Sequence, residues 1–517
     1  MVGATAPDFL KVRSSRTGLR IAFTVSASLV AKAFGFIRVQ QIAATLGVGY
    51  YADVLLVCFQ LVWLVETVLI SNAVVPIVLS RIYRINNEEG AEASARLFLY
   101  AAFSSALIAT LFGLMLWLGA DLIAAAILPG LGAQARPLFE VLLLTSVVTP
   151  LGLAAAHFMS LVNRLTDNGA WYSVSQILTN SAALAGLILG YRYGGAFEAA
   201  VGMMAGLAGG AVAVCILQTM VIPGEALACL KLSARRHGRN VLSMPQARTY
   251  WSGVGVLVLA ALVQEVYIYV DFYFASSVGE GSVGLVGFAS RLAVLVNTLV
   301  VASAFVIIEP RWARALADKN DDVWDRVIAP DVLLLLSLLA TPAALLFFYA
   351  SDVTRLIYGS DQFAAPDREM LNWLTWIYSL SIIGLSLLMV TSRLLILLNQ
   401  QRVLVIISMC VLPGKLVLSA SLVHWFGLPG LAISTVAILL LQGICNMAFL
   451  VYGGNLTFRS IVGLLIVVCF TIIFGVATWL VPLTEGTFVG LIVAAAMLST
   501  LNISLATAVR YLYMRIR

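Results

Sequence analysis

Apolar runs of membrane-crossing length dominate this chain and leave it few folds to choose from. Polar or Gly/Pro clusters divide it into fourteen runs, at about 19–46, 51–80, 97–127, 138–162, 170–190, 197–222, 252–276, 284–309, 328–350, 372–398, 403–424, 428–451, 461–481 and 487–509. A helix needs about 20 apolar residues to cross the hydrocarbon core, where its backbone polar groups must be satisfied internally. Hydrophobic residues make up 61% of the chain and charged residues 11%, whereas soluble domains run about half apolar and about a quarter charged. In 517 residues such runs leave little chain for a soluble domain. The expected fold class is therefore all-α, a polytopic membrane protein of about fourteen helices.

Loop charge tests this layout, because cytoplasmic loops collect Lys and Arg. With the N-terminus inside, 22 of the 31 Lys and Arg residues fall on the cytoplasmic side. Only Arg136, Arg192, Arg355 and Arg368 fall outside, and Lys32, Arg38, Arg291, Arg393 and Lys415 lie within spans. A miscounted span would invert every later loop and blur this bias. Both termini are thus expected in the cytoplasm of a multi-pass inner-membrane protein. The net charge of +6 reflects loop orientation, and nucleic acid is not an expected partner. Residues 1–18 are polar and basic, and no small-residue cleavage site follows the first run. That run is also too long for a signal peptide, so a retained first helix is expected. The six cysteines are scattered without a CxxC spacing, which suits small buried side chains better than disulfides or metal ligands.

The longest basic linker, 223–250, contains "KLSARRHGRN" and suits an inside loop near anionic lipid. It divides the chain into a first lobe at 1–222, the linker, a second lobe at 251–451 and a C-terminal helix pair at 452–517. A weak internal echo supports two lobes. "ATLGVGYYADVLLV" (44–57) and "SSVGEGSVGLVGFASRLAVL" (276–295) each place a Gly-x-Gly turn before a helix with an early ionisable residue. Repeats of this kind are common in transporters, whose binding sites form between the repeats.

The charges inside the spans carry the most functional information. A charge at the bilayer centre costs about 2.5–3.5 kcal/mol on insertion scales and is usually kept for an interior or wet site. The clear cases are Lys32 and Arg38 in span one, Asp53 and Glu66 in span two, Glu265 and Asp271 in span seven, and Arg291 in span eight. They concentrate in the first two helices of each proposed lobe, as a charged, hydrated cavity requires. Internal ion pairing that locks helices together is the competing reading for any one of them. Lys32 and Arg38 lie about 9 Å apart along a helix, with Gly35 between and Gln41 beyond. Lys32, Arg38 and Arg291 suit an anionic group such as phosphate, Arg by its bidentate fork and Lys as a point charge. Pro76 in span two predicts a bend. Arg393 sits near a helix end and is expected to snorkel. Lys415 follows Pro413-Gly414, where a broken helix would bare carbonyls for a cation or receive the Lys itself. Enzyme chemistry finds no support: His157, His237 and His424 are far apart in sequence, on different loops or helix ends, and no P-loop, GxSxG or zinc spacing occurs. No metal site and no cofactor are expected. Transport would draw on membrane potential, a monovalent cation or the substrate gradient.

At these residues the chain resembles the lipid II flippase family (MurJ, or MviN) of the MOP exporter superfamily. Segment 31–59, "AKAFGFIRVQQIAATLGVGYYADVLLVCF", follows the family pattern SRxLGFxRD then IAxxFGxGxxxDAFxxAF. "VPI" (75–77) continues it, "DFYFASSVGEGSVGLVGFASRL" (271–292) is similar to the family's turn with YADRL, and "LIYGSDQFAAPD" (356–367) to its long external loop. The resemblance implies two six-helix lobes in a V, a C-terminal pair forming a lipid-tail groove, and alternating access. The implied cargo is a polyprenyl-pyrophosphate-linked saccharide flipped outward, with Lys32, Arg38, Asp53 and Arg291 as substrate contacts. Glu66, Glu265 and Asp271 are cavity or coupling candidates. Membrane lipids and glycan-synthesis enzymes are the expected partners. Two departures stand out. Span two reads "QLVWLVETVLISNAVVPI", without the family's paired arginines, and Val39 replaces the Asp after GFxR. They favour a relative moving another lipid-linked saccharide, such as an exopolysaccharide repeat unit, over lipid II. A cation-coupled exporter of small organic molecules and a non-transporting scaffold of a glycan-synthesis complex are the alternatives. Exporters of cationic drugs favour acidic cavities, and a scaffold needs no buried cations.

Overall fold

A computed structural model describes residues 17–452, apart from residues 131, 133–134, 166–169, 238–246, 318–326, 360–362 and 399. Every regular element among the described residues is helical. Ten helices there have the length and apolarity to cross a membrane. Predicted spans thirteen and fourteen lie outside the described residues.

The predicted runs appear as helices with small offsets at their ends. Span one is Thr17–Leu46, span five Ala170–Gly194, span six Ala196–Val221, span seven Ala247–Val278, span ten Ala365–Leu397, span eleven Gln401–Phe426 and span twelve Leu428–Tyr452. Others are segmented. Span four is Arg136–Leu144, a 3₁₀ turn and Thr149–Leu165. Span two runs Tyr50–Leu64, widens to a π-helix at Val65–Val74, and resumes as Val75–Glu88. The Val75 amide bonds the Ile70 carbonyl, five residues back. Pro76 has no N–H to offer the carbonyl four residues earlier, and the wide turn ends just before it. Span eight repeats the device, with π-helix at Thr298–Ala302 between Ser282–Asn297 and Ser303–Ala317.

Compact packing divides the chain into two units, Met1–Tyr269 and Val270–Arg517, with the division inside span seven. In the first unit, spans five and six touch backbone to backbone. A Cβ added at Gly186 would meet the Gly202 carbonyl, one at Gly190 the Glu198 carbonyl, and one at Gly206 the Ala182 carbonyl. In lipid no hydrophobic effect draws helices together, so close approach through small residues supplies the dispersion contact that does. A second cluster joins spans two, three and four to the linker and the start of span seven, with Phe98 edge-on to Phe158 at 5.6 Å. The linker is more than a solvated basic loop. Gly224–His237 is a helix whose Ala226, Cys229, Leu230 and Ser233 are buried, while Lys231 and Arg235 stay exposed. In the second unit, a Cβ on Gly384 of span ten would press on the Leu439–Leu440 backbone of span twelve.

Two glycines set the turns that open the echoed segments. Gly47 has φ +63° and Gly281 φ +81°, in the left-handed region that side chains avoid. The break that Pro413-Gly414 would allow in span eleven does not occur. Gln401–Phe426 continues through Pro413 as one helix, as membrane helices do where neighbours re-satisfy the freed carbonyl.

Candidate functional site

In the first unit Arg38 is the best-defined buried cation, 6% exposed. Its Nη1 donates to Asn180 Oδ1 of span five at 2.7 Å, and its guanidinium lies 4.2 Å from the ring centroid of Phe59 in span two. Asn180 is itself fixed, its Nδ2 donating to the Gln176 carbonyl at 2.9 Å. Gly35, one turn before Arg38, faces the same Asn180 side chain, and a Cβ there would stand in ordinary contact with it, 3.8 Å from Nδ2. A helix, an amide and an aromatic face thus fix the guanidinium plane. Lys32 is half-buried on the same helix. Asp53 is buried in the first turn of Tyr50–Leu64, where the helix dipole favours a carboxylate.

The π-helical turn of span two carries Glu66. Its Oε1 lies 2.9 Å from His157 Nε2 and accepts from the Ser71 hydroxyl at 2.5 Å, and Oε2 accepts from Thr67 at 3.3 Å. His157 lies in the middle of Thr149–Leu165, which corrects the expectation of a loop or helix end. Glu265 of span seven accepts from Gln60 Nε2 of span two at 2.9 Å.

In the second unit Asp271 and Lys415 form a closed pair. Lys415 is fully buried, and its Nζ lies 2.5 Å from Asp271 Oδ1. The Thr435 hydroxyl is 2.9 Å from Asp271 Oδ2 and 2.6 Å from Lys415 Nζ, and Ser434 receives Lys415 at 3.3 Å. Spans seven, eleven and twelve meet at this network. Helix continuity through Pro413 carries the Lys415 ammonium to the Asp271 carboxylate. Arg291 is half-buried on Ser282–Asn297. Tyr358, in the segment after span nine, has its hydroxyl pushed up by burial, an effect that the Arg291 charge opposes. Arg393 meets Glu309 at 3.8 Å with both side chains partly exposed.

The candidates therefore divide between the units. Lys32, Arg38, Asp53, Glu66 and Glu265 belong to the first, Asp271 and Arg291 to the second. The partners that the sequence left unnamed are His157, Asn180, Phe59 and Thr435. A His inside an apolar run was the one available signal, while neutral or hydroxylic partners left none. Among the described residues no three His, Cys, Asp or Glu side chains gather to hold a metal ion.

Comparisons with known proteins bear on this arrangement. The family model described as lipid II flippase MurJ matches residues 42–499. A probable lipid II flippase MurJ from Bdellovibrio bacteriovorus is 27% identical over 250 residues, 44% of this chain and 45% of that protein. The match thus spans less than half of that relative. Among solved structures, lipid II flippase MurJ in an inward closed conformation aligns over 96% of this chain and 98% of its own, with TM-score 0.72 and 15% identity. An inward-facing multidrug resistance MATE family transporter of the MOP superfamily aligns over 83% of this chain and 97% of its own, with TM-score 0.65 and 13% identity. At these identities the structural matches show the fold alone, and the family model supplies the rest. The match over 42–499 places this chain in the lipid II flippase MurJ family.

Proposed function

We propose that the protein carries a polyprenyl-pyrophosphate-linked saccharide from the inner to the outer leaflet of the bacterial cytoplasmic membrane by alternating access. It acts as a transporter, without enzyme chemistry of its own. The observation that carries this reading is Arg38, a buried guanidinium held by Asn180 and Phe59. A buried guanidinium is costly in lipid and its fork matches phosphate oxygens. Lys32, on the same helix as Arg38, adds positive charge for the head group, and Asp53 balances it between loads; Arg291 is the candidate cation of the second unit.

Coupling is assigned to Glu66 and His157, with membrane potential or a monovalent cation as the energy source. Glu66 sits in a π-helical turn, a feature frequent at functional sites, and His157 faces it from Thr149–Leu165. Glycan-synthesis enzymes are the expected donors and acceptors of the cargo.

Two cargoes fit this reading. The names of the relatives favour lipid II, and the charge-poor span two favours an exopolysaccharide repeat unit. Full-length protein in liposomes, given fluorescent lipid II or a fluorescent undecaprenyl-pyrophosphate repeat unit, separates them. We expect movement of the repeat unit at least as fast as lipid II. Movement of lipid II alone would overturn that preference, and movement of neither would overturn the flippase reading.

A further inference from the structure

We propose that the aromatic cleft between spans nine and ten binds a saccharide, as a subsite separate from the buried charges. Its place in transport rests on the flippase reading, whereas its chemistry stands by itself. The cleft has a volume of about 650 Å³ and is lined by Phe347, Trp373 and Trp376 together with Ser351, Glu369 and Asn372. Small-ligand sites run about 300–1,000 Å³. All six residues belong to the second unit. They lie in or beside the segment 351–371, which loop charge assigns to the exterior.

The sequence builds this face deliberately. Glu369, Asn372, Trp373 and Trp376 recur at i, i+3, i+4 and i+7 on Ala365–Leu397, so they form one stripe of the helix. A lipid-facing stripe would be aliphatic, and a packed one would be small. This one sets an acid and an amide beside two indoles. Trp373 remains 53% exposed and Trp376 37% exposed. Their centroids are 5.6 Å apart at 88°, and Phe347 of Ala329–Phe348 lies 5.1 Å from Trp376 at 39°. The rings therefore make a corner with an open face. The Thr354 hydroxyl holds the Asn372 side chain in place.

A pyranose fits such a corner. One face of the ring is a sheet of C–H bonds, which the negative faces of indole and phenyl rings attract. Its hydroxyls then reach the carboxylate, amide and hydroxyl at the rim. Trp residues also anchor helix ends at the membrane interface, but that role calls for no carboxylate within the same cavity. Glu369 repels phosphate, so an anionic lipid head group or the cargo's pyrophosphate is disfavoured here. The neutral sugar portion is what remains.

The test uses full-length protein in a sugar-free detergent and soluble N,N′-diacetylchitobiose as the probe, read by saturation-transfer NMR. Transfer to the sugar ring protons is expected with the unaltered protein. It should fall at least fivefold in Trp376→Ala and Trp373→Ala and be partly restored in Trp376→Phe, which keeps a ring. Arg38→Ala should leave the signal intact while abolishing flipping, so the two readings fail separately. Absence of transfer in the unaltered protein overturns the subsite even if flipping persists. Full transfer in a folded Trp376→Ala variant does the same. Loss of the signal on adding sugar-free phosphatidylglycerol would show a lipid occupant and also overturn it.

Discussion

Each unit buries an acid against a base, but the bases differ. In the first unit Glu66 faces His157 at 2.9 Å, and the imidazole carries charge only when protonated. In the second, Asp271 faces Lys415 at 2.5 Å, with Thr435 and Ser434 completing the shell. The backbones differ as well: Glu66 rides a π-helical turn, whereas Lys415 sits within a continuous α-helix. The proposed function gives the first pair a part in coupling, whereas the second joins spans seven, eleven and twelve. A buried carboxylate in a membrane is therefore no uniform signal of transport. Its partner and its backbone decide which role it takes.

The largest effect should come from breaking the locked pair. Lys415→Ala leaves the Asp271 carboxylate buried with its ammonium removed. Losing one partner of a buried pair costs about 3–5 kcal/mol, so the melting temperature should drop sharply and the double variant Lys415→Met, Asp271→Asn should recover most of it. An unshifted melt for Lys415→Ala would remove the structural role. Glu66→Gln should cost less, about 1–2 kcal/mol, because the amide still offers an acceptor to His157 and Ser71. Its flipping rate should nevertheless collapse at normal protein level. Wild-type flipping by this variant would erase the contrast between the two pairs. Gln60→Ala is the mildest. It removes one interhelical hydrogen bond to Glu265, and such bonds average about 0.6 kcal/mol in membranes, so a thermal shift near the limit of detection is expected. A loss as large as that of Lys415→Ala would mean that Glu265 belongs with the locked pair.

Much of the fold was legible because lipid imposes one demand on every segment. Length and apolarity located spans six, eleven and twelve to within a few residues, while spans seven and ten begin earlier than their apolar runs, at Ala247 and Ala365. Those two signals did not reveal the π-helical turns, which depend on local backbone bonding around Pro76 and in span eight. Nor did they show that Pro413 is absorbed, since that depends on what neighbouring spans offer. The site was half legible. Arg38, Glu66 and Asp271 announce themselves as charges where charge is expensive. Their partners lie far along the chain, as Asn180 does from Arg38 and Lys415 from Asp271, and only packing brings them together. Lys415 was visible as an anomaly, but its role was not, because a Lys after Pro-Gly reads equally as part of a cation site. The linker helix Gly224–His237 was hidden by its basic sequence, of which Lys231 and Arg235 occupy the exposed face.

The central claim is that the Arg38 guanidinium grips the anionic part of a lipid-linked cargo. The most direct test is the flipping rate of Arg38→Lys and Arg38→Ala in liposomes, each checked for an unchanged melt. The account predicts no detectable flipping for Arg38→Ala and a reduced rate for Arg38→Lys, which keeps the charge and loses the planar fork. Undiminished flipping by a well-folded Arg38→Ala variant would contradict it.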